Sequence, residues 1–205
     1  MSFFERHLLP RAIDWACGSA AITELRQELV PQARGQVLEV GMGPGLNLPH
    51  YQAGQVEKVW GLEPSAGMER RARSRLDQAP VEVEWLACGA EAIPLDDASM
   101  DTILLTFTLC SIPEWERALA EMHRVLRPGG QLLFCEHGMA PDNRVCRWQN
   151  RLNPLWHRLS GGCNINRPMD QMLRQAGFDF QRLDTGYLPG TPRIAGYLYR
   201  GMAIR

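Results

Sequence analysis

The sequence predicts an α/β fold whose mostly parallel, doubly wound sheet ends in an antiparallel hairpin. From about residue 35 onwards, short β-like runs alternate with segments of helical spacing. Strands that alternate with helices form parallel β-α-β units, with helices on both faces of one sheet. Residues 178–205 break this alternation, because two β-like runs flank a Gly/Pro-rich loop. With 205 residues in total, we expect one domain that spans residues 1–205.

Five short hydrophobic runs are the predicted parallel strands. In chain order they are QVLEVG, EKVWGLEP, VEVEWLA, DTILLTF and QLLFCEH. A helix is predicted over PEWERALAEMHRVLRP, where Trp115, Leu119, Met122, Val125 and Leu126 share one face, and the proline and glycines that follow end it. The final run, FDFQRLDTGYLPGTPRIAGYLYRGMAIR, predicts the hairpin. Two apolar-rich segments lie outside this scheme: residues 1–34, predicted to be helical, and an insertion at residues 138–168.

Composition and charge exclude several classes of protein. The 22 basic and 23 acidic residues give a net charge of -1, unlike the basic surface of a nucleic-acid-binding protein. No run approaches the roughly 18 apolar residues of a transmembrane segment, although residues 1–34 could still touch a membrane peripherally. The six cysteines are scattered and form no CxxC pair. We therefore expect reduced thiols, no metal site and a cytoplasmic location.

A glycine loop, LEVGMGPGLNLPHY, follows the first predicted strand. Gly41 permits a tight turn, and Gly43 and Gly45 let a ligand approach the backbone without meeting a Cβ. The third glycine comes one residue earlier than in the GxGxxG dinucleotide fingerprint, and no Lys-Ser/Thr follows, which excludes a P-loop. Glu63 ends the next strand, where a carboxylate accepts hydrogen bonds from ribose hydroxyls. Together these features predict an adenosine-type ligand.

These residues, followed by ACGAEAIPL and EMHRVLRPGGQLLFCE, make the chain similar to the class I S-adenosylmethionine (SAM) methyltransferases from about residue 36 to the end. The resemblance implies a Rossmann-like, seven-stranded sheet with an antiparallel last strand. It also implies SAM as the cofactor and S-adenosyl-L-homocysteine (SAH) as the product. The residues implied to bind SAM are Glu39, Gly41, Gly43, Gly45, Asn47, Glu63, Pro64, Met68, Ala90, Glu91, Thr106, Thr108 and Leu109.

One departure from the family pattern concerns the adenine end. Many relatives have GDAE where this chain has CGAE, so Gly89 stands at the position of the acid that holds the adenine amino group. We therefore expect backbone and apolar contacts to hold the adenine here.

Three further segments narrow the resemblance to the methyltransferase-like alkyl thiol methyltransferases: TLCS, CEH and RWQNRLNPLWHRLSGGC. The implied partner is a small, apolar acceptor, with an alkyl thiol as the first hypothesis. A lipid, quinone or other O-, N- or C-acceptor is the alternative, and a SAM-binding protein without catalysis is a further one. Residues 1–34 are then predicted to be a helical lid, and residues 138–168 to cover the acceptor site.

His137 and Glu136 are the catalytic candidates, because both end a strand that faces the cofactor site. His137 acts as a general base or orients the acceptor, or it is a packed, hydrogen-bonded ring. Trp148 and Trp156 wall an acceptor pocket or belong to the core. Cys110 and Cys163 are interpreted as small hydrophobic side chains, since in-line methyl transfer needs no covalent intermediate.

Overall fold

The computed structural model describes residues 11, 14 and 17–205 of the chain. Seven strands form one sheet in the order β3-β2-β1-β4-β5-β7-β6. The strands are β1 (Gly35–Val40), β2 (Val56–Leu62), β3 (Glu82–Leu86), β4 (Met100–Thr106), β5 (Leu126–His137), β6 (Asp179–Tyr187) and β7 (Tyr197–Ile204). The α-helices that lie wholly within the described residues are α1 (Ala20–Leu29), α2 (Ala66–Leu76), α3 (Trp115–Val125), α4 (Asn143–Leu159) and α5 (Met169–Gln175).

The strand directions confirm the predicted fold class. Strands β1 to β5 pair in parallel, whereas β7 runs antiparallel to both of its neighbours, β5 and β6. The predicted terminal hairpin is therefore β6 and β7, with Tyr187 opposite Tyr197 at its closed end. The strand order reverses between β1 and β4, and a crevice for a ligand opens outside the carboxyl ends of strands at such a point.

The helix predicted before the fifth strand is present, but it ends earlier than expected. Ala118, Leu119, Met122 and Val125 are buried along one face of α3, as the spacing predicts. Leu126 is extended and pairs with Met100 as the first residue of β5. The physical reason is Pro128, since the residue before a proline is driven out of the helical region and the chain must already be extended there.

Two hydrophobic clusters cover the two faces of the sheet. Leu38 and Val40 of β1 belong to one cluster, together with α3 and α5. Val37 belongs to the other, together with Leu29 at the end of α1. Because side chains alternate along a strand, Glu39 shares a face with Val37 and is 1% exposed. A buried carboxylate on this face needs hydrogen-bond partners, and the loop after β1 supplies them.

The two additions to the sheet are described to different extents. The insertion at residues 138–168 forms α4 and the loop that follows it. Of the predicted N-terminal lid, α1 is described, whereas residues 1–10, 12–13 and 15–16 lie outside the described residues. Within the part of the chain that the structure describes, no helix combines the length and the apolar composition needed to cross a bilayer.

Candidate active site

A cavity of about 830 Å³ lies at the carboxyl ends of the central strands. Four loops supply most of its near wall: residues 41–44 after β1, 63–65 after β2, 89–91 after β3 and 106–108 after β4. The sequence-predicted cofactor residues that line it are Gly41, Gly43, Glu63, Pro64, Met68, Ala90, Glu91, Thr106 and Thr108. Glu39, Gly45, Asn47 and Leu109 lie behind this wall, since they are absent from the cavity lining.

The glycine loop follows the contour of the cavity because its three glycines, Gly41, Gly43 and Gly45, all have left-handed backbone angles. Gly41 has φ +70°, and a Cβ there would overlap the side chain of Thr108. Gly43 has φ +56°, and among the described residues a Cβ there would meet only the Gly41 carbonyl oxygen, 3.9 Å away. Gly45 instead packs against Leu48, whose Cδ1 would lie 2.9 Å from an added Cβ. The open space over Gly43 therefore fits a ligand that rests on the backbone.

Glu63 holds the loop and also faces the cavity. Its Oε2 accepts a hydrogen bond from the Gly43 N–H at 3.1 Å, and its Oε1 accepts one from the Ser65 N–H at 2.9 Å. Burial raises the pKa of Glu63 above its ordinary value, while these two N–H groups oppose the change. Since each carboxylate oxygen has a second lone pair, Glu63 can also accept hydrogen bonds from a bound diol.

Glu39 acts on the cavity through other residues. Its two oxygens accept hydrogen bonds from Asn47 Nδ2 at 2.9 Å and from the Tyr51 hydroxyl at 2.7 Å. Asn47 Nδ2 also reaches Thr106 Oγ1 at 3.0 Å, which joins the loop after β1 to the end of β4. Burial raises the pKa of Glu39, and its hydrogen bonds oppose this shift. This buried network fixes the shape of the glycine loop from below.

Arg26 of α1 completes this network and lines the cavity, and sequence reasoning missed it. Its Nη1 donates to Asn47 Oδ1 at 2.5 Å and to Thr106 Oγ1 at 3.1 Å, although the residue is only 6% exposed. Burial lowers the pKa of Arg26, but an arginine stays protonated in proteins. The sequence does contain a signal for Arg26. Ile22, Leu25 and Leu29 form the apolar face of a helix, and Arg26, four residues after Ile22, is a charged residue on that face.

The turn after β4 is held by Glu136 from the next strand. Glu136 Oε1 accepts hydrogen bonds from the N–H groups of Thr108 at 2.7 Å and Leu109 at 3.1 Å. Its Oε2 is buried without a hydrogen-bond partner among the described residues, and burial raises the pKa of Glu136 to about 7. Phe107, within the same turn, has φ +54°, a strained angle for a side chain of this size. Glu136 thus supports the cavity wall.

His137 contacts two cysteines from distant parts of the chain. Its Nε2 lies 3.2 Å from Cys163 Sγ, which in turn lies 3.6 Å from Cys110 Sγ. Burial lowers the pKa of His137, but Cys163 and Glu136 outweigh burial and raise it overall. The hydrogen bond to Cys110 and burial both raise the pKa of Cys163. Neither predicted catalytic residue, Glu136 or His137, is among the residues that line the cavity.

The far wall of the cavity comes from residues that sequence reasoning did not name as site residues. They are Cys17, Ser111, Ile112, Pro113, His157, Arg158, Ser160, Gly161 and Gly162. Most of them come from the turn after β4 and from the end of α4. Trp148 and Trp156 are 48% and 36% exposed and are not part of the lining. The two tryptophans therefore form neither the pocket wall nor the core that their spacing suggests.

Comparison with known proteins agrees with this architecture. A family model described as a methyltransferase domain matches residues 38–134. Thiol S-methyltransferase TMT1A of Homo sapiens is 33% identical over 184 residues, which are 85% of this chain and 75% of the relative. Phosphatidylethanolamine N-methyltransferase of Cereibacter sphaeroides is 33% identical over 132 residues, which are 60% of this chain and 63% of the relative.

A solved structure extends the agreement to nearly the whole chain. A SAM-dependent methyltransferase from Thermotoga maritima, described as a possible histamine N-methyltransferase, superposes with a TM-score of 0.65 at 25% identity. The superposition covers 98% of this chain and 97% of the other. The cavity, the glycine loop and these relatives together show that the chain belongs to the class I SAM-dependent methyltransferases, enzymes that use SAM as the methyl donor and release SAH.

Proposed function

We propose that this enzyme methylates a small, apolar alkyl thiol. The observation that carries the proposal is the similarity, over 85% of the chain, to a relative named as a thiol S-methyltransferase. Part of the far wall supports it, because Ile112 and Pro113 offer an apolar surface beside the polar Ser111 and Ser160. The cysteine thiol has a reference pKa of about 8.5, and a simple alkyl thiol ionises less readily, so such an acceptor gains from a group that helps it to lose its proton.

For the cofactor, we propose that the methionine end lies over Gly41 and Gly43 and that the ribose hydroxyls bind Glu63. Arg26 is the buried cation on the same wall, and we assign it to the methionine carboxylate, since buried charges require a partner. Pro64, Met68 and Ala90 then flank the adenine. The carboxylate of Glu91 occupies the space that a side chain at Gly89 would take, which supports a contact between Glu91 and the adenine amino group.

The protein's part in the reaction is to align the acceptor and exclude water. When bound, SAM supplies a methyl group that its sulfonium already activates. Thr106 and Thr108 border the place where that methyl group would lie. We propose that Glu136 positions Thr108 through the hydrogen bonds that it accepts from the N–H groups of Thr108 and Leu109. We also propose that His137, which does not line the cavity, takes part in catalysis from behind this wall. Residues 1–34 and 138–168 are proposed to cover the acceptor.

Glu63 offers a direct test of the cofactor assignment. Loss of two charge-assisted hydrogen bonds, worth about 1.5–3 kcal/mol each, should weaken SAH binding by roughly 10²–10⁴-fold in Glu63→Gln. Glu57→Gln is the matched control, because Glu57 is exposed and accepts a hydrogen bond from the Gln36 side chain at 3.0 Å, its one side-chain partner in the described part of the chain. Calorimetry that finds equal SAH affinity in both variants would remove Glu63 from the site.

The acceptor is tested by an assay with SAM across alkyl thiols, phenols, amines and phosphatidylethanolamine, with product masses. Thiols should be methylated fastest. A lipid acceptor is the second candidate, because exposed Trp148, Leu155, Trp156 and Leu159 give α4 an apolar surface next to the cavity. Faster turnover of phosphatidylethanolamine than of every thiol would favour it. Binding of SAM without turnover of any acceptor would indicate a protein that has lost catalysis.

The same surface of α4 supports a peripheral membrane contact, with the enzyme itself in the cytoplasm. The Arg151 guanidinium lies 5.7 Å from the centre of the Trp148 ring, so a basic group stands beside the exposed aromatic surface and could meet an anionic headgroup. Sedimentation with anionic vesicles should carry the wild-type protein but much less of a Trp148→Ser, Leu155→Ser variant. Equal sedimentation of the two proteins would argue against this contact.

A further inference from the structure

Three side chains that bind soft metal ions meet behind the far wall of the cavity. The Sγ atoms of Cys110 and Cys163 and a ring nitrogen of His137 all lie within 4.8 Å of one another. They come from the three segments that distinguish this chain from the wider family: LCS after β4, CEH at the end of β5, and GGC after α4. The mechanism proposed above makes no use of the two thiols.

Two of the three separations between these atoms are close to those around a tetrahedral zinc ion, and the third, between Cys110 Sγ and a His137 ring nitrogen, is within 4.8 Å. With Zn–S of about 2.3 Å and Zn–N of about 2.0–2.1 Å, tetrahedral angles place two sulfurs about 3.8 Å apart, and a sulfur and a nitrogen about 3.6 Å apart. The observed separations are 3.6 Å between the two Sγ atoms and 3.2 Å between Cys163 Sγ and His137 Nε2. Each differs from the ideal value by a few tenths of an ångström.

The surrounding backbone holds the cluster in place. The Cys110 carbonyl oxygen accepts hydrogen bonds from the Asn164 N–H at 2.9 Å and from Asn164 Nδ2 at 3.0 Å, which fixes the Cys163 segment against the turn after β4. His137 Nδ1 has no hydrogen-bond partner among the described residues. Nε2 is the ring nitrogen that faces Cys163, so it is the one that would bind a cation, with the ring proton on Nδ1.

We propose that Cys110, His137 and Cys163 form a three-ligand Zn²⁺ site whose fourth position takes the acceptor thiolate. Three protein ligands and one exchangeable position are the pattern of catalytic zinc, whereas structural zinc has four protein ligands. Ser111 and Gly162, each the chain neighbour of a ligand, line the cavity, so the site adjoins the acceptor space. The metal site stands on its own geometry, while the role of the fourth position rests on the proposed thiol acceptor.

This site would supply what the cavity wall lacks, a means to ionise the acceptor. When a thiol binds Zn²⁺, its S–H proton passes to solvent and the sulfur stays as a thiolate. The thiolate lone pair then forms the new S–CH₃ bond, while the sulfonium S–CH₃ bond breaks and its electron pair remains on the SAH sulfur. The product is a neutral thioether, a weaker ligand than the thiolate, so it leaves the metal.

The test measures bound metal in the full-length protein under reducing conditions. After incubation with Zn²⁺ and desalting, wild type should retain about one equivalent per chain. Cys110→Ser, Cys163→Ser and His137→Ala should each retain several-fold less, while Cys146→Ser, a free cysteine outside the cluster, should match wild type. Unchanged SAH binding in these variants shows that they are folded. Wild type that retains no more Zn²⁺ than the double variant Cys110→Ser, Cys163→Ser would overturn the site.

A second measurement tests the fourth position. In the Co²⁺-loaded protein, an alkyl thiol should change the sulfur-to-cobalt charge-transfer band in the presence of SAH. If the spectrum of the bound Co²⁺ does not change when the thiol is added, the metal does not bind the acceptor. Full thiol turnover by the metal-free protein would lead to the same conclusion. If Zn²⁺ binds but no thiol in the acceptor panel is methylated, the proposed function fails while the metal site stands.

Discussion

Replacement of Gly43 by alanine separates ligand contact from backbone strain. Gly43 has φ +56°, and its added methyl group would project into the cavity, with only the Gly41 carbonyl oxygen within 4 Å at 3.9 Å. Gly129 offers a matched control at the amino end of β5, on the opposite edge of the sheet. It has φ +75° and nothing within 4 Å of an added Cβ. Both substitutions therefore introduce the same kind of strain, but only one places an atom where SAM is proposed to lie.

The expected magnitudes follow from these two surroundings. A non-glycine residue in the left-handed region costs about 1–2 kcal/mol, so both variants should lose about 2–8 °C in melting temperature. A methyl group forced into a fitted contact costs about 1–3 kcal/mol more. Because 1.4 kcal/mol corresponds to about a tenfold change, Gly43→Ala should bind SAH roughly 5- to 150-fold more weakly, and Gly129→Ala should bind it as wild type does.

Calorimetric titration with SAH, paired with thermal unfolding in its absence, measures both quantities. We expect similar melting temperatures for the two variants and a difference only in their affinity for SAH. If Gly43→Ala binds SAH with wild-type affinity, the ligand does not rest on this loop. If Gly129→Ala weakens binding as much as Gly43→Ala, the loss comes from strain in the fold rather than from contact with the ligand.

Two further predictions concern buried and partly buried carboxylates. Tyr51→Phe removes the hydroxyl that lies 2.7 Å from Glu39 Oε2, so it should lower the free energy of unfolding by about 1–3 kcal/mol. Tyr187 is the control, because its hydroxyl donates to an exposed carboxylate, and Tyr187→Phe should change the free energy of unfolding by less than about 0.5 kcal/mol. Urea unfolding of the two variants measures both values. The hydrogen bonds from Arg124 hold the pKa of Glu121 below its ordinary 4.5, so Glu121 stabilises the fold above about pH 4.5 and loses this effect as the pH falls through the lowered pKa. The stability difference between wild type and Glu121→Gln, measured by urea unfolding from pH 7 down to pH 3, should therefore shrink below about pH 4.5, and a constant difference would contradict the assignment.

The fold was accessible from the sequence because its signals are local. Each parallel strand is a short hydrophobic run bounded by turn residues, and the absence of a helical segment between β6 and β7 predicts their antiparallel pairing. The predicted end of α3 was wrong by a few residues, because Pro128 restricts the backbone of the residues before it and the helix already ends at Val125. The spacing of hydrophobic residues and the positions of glycine and proline therefore predict which helices and strands form. The exact first and last residues of each element depend on the neighbouring residues.

The site was accessible only in part, for the same reason. Gly41, Gly43 and Glu63 belong to consecutive β-α units, so their spacing along the chain reports their proximity in space. Arg26 reaches Thr106 across 80 positions, and Cys163 reaches Cys110 across 53. No spacing pattern can reveal such pairs, so the expectation of no metal site, which rested on the lack of a CxxC pair, could not take account of them. Tertiary packing brings Cys110, His137 and Cys163 together.

The family model covers only part of the residues that form the cavity. The family model ends at residue 134, so it covers the loops that form the near wall of the cavity and stops before Glu136, His137 and the insertion at residues 138–168. Relatives that match this chain are named for a thiol and a phospholipid, and one solved structure is described as a possible histamine N-methyltransferase. Family membership therefore accounts for the methyl donor, whereas we propose that the acceptor is selected by residues 110–113 and 157–163, which contribute to the far wall and carry Cys110 and Cys163. If the cation site is correct, exchange of these two segments for those of an N-methyltransferase should abolish Zn²⁺ binding and thiol turnover together while SAH affinity stays within about tenfold, because the near wall is untouched. Loss of thiol turnover with Zn²⁺ fully retained would instead show that the far wall selects the acceptor by shape alone.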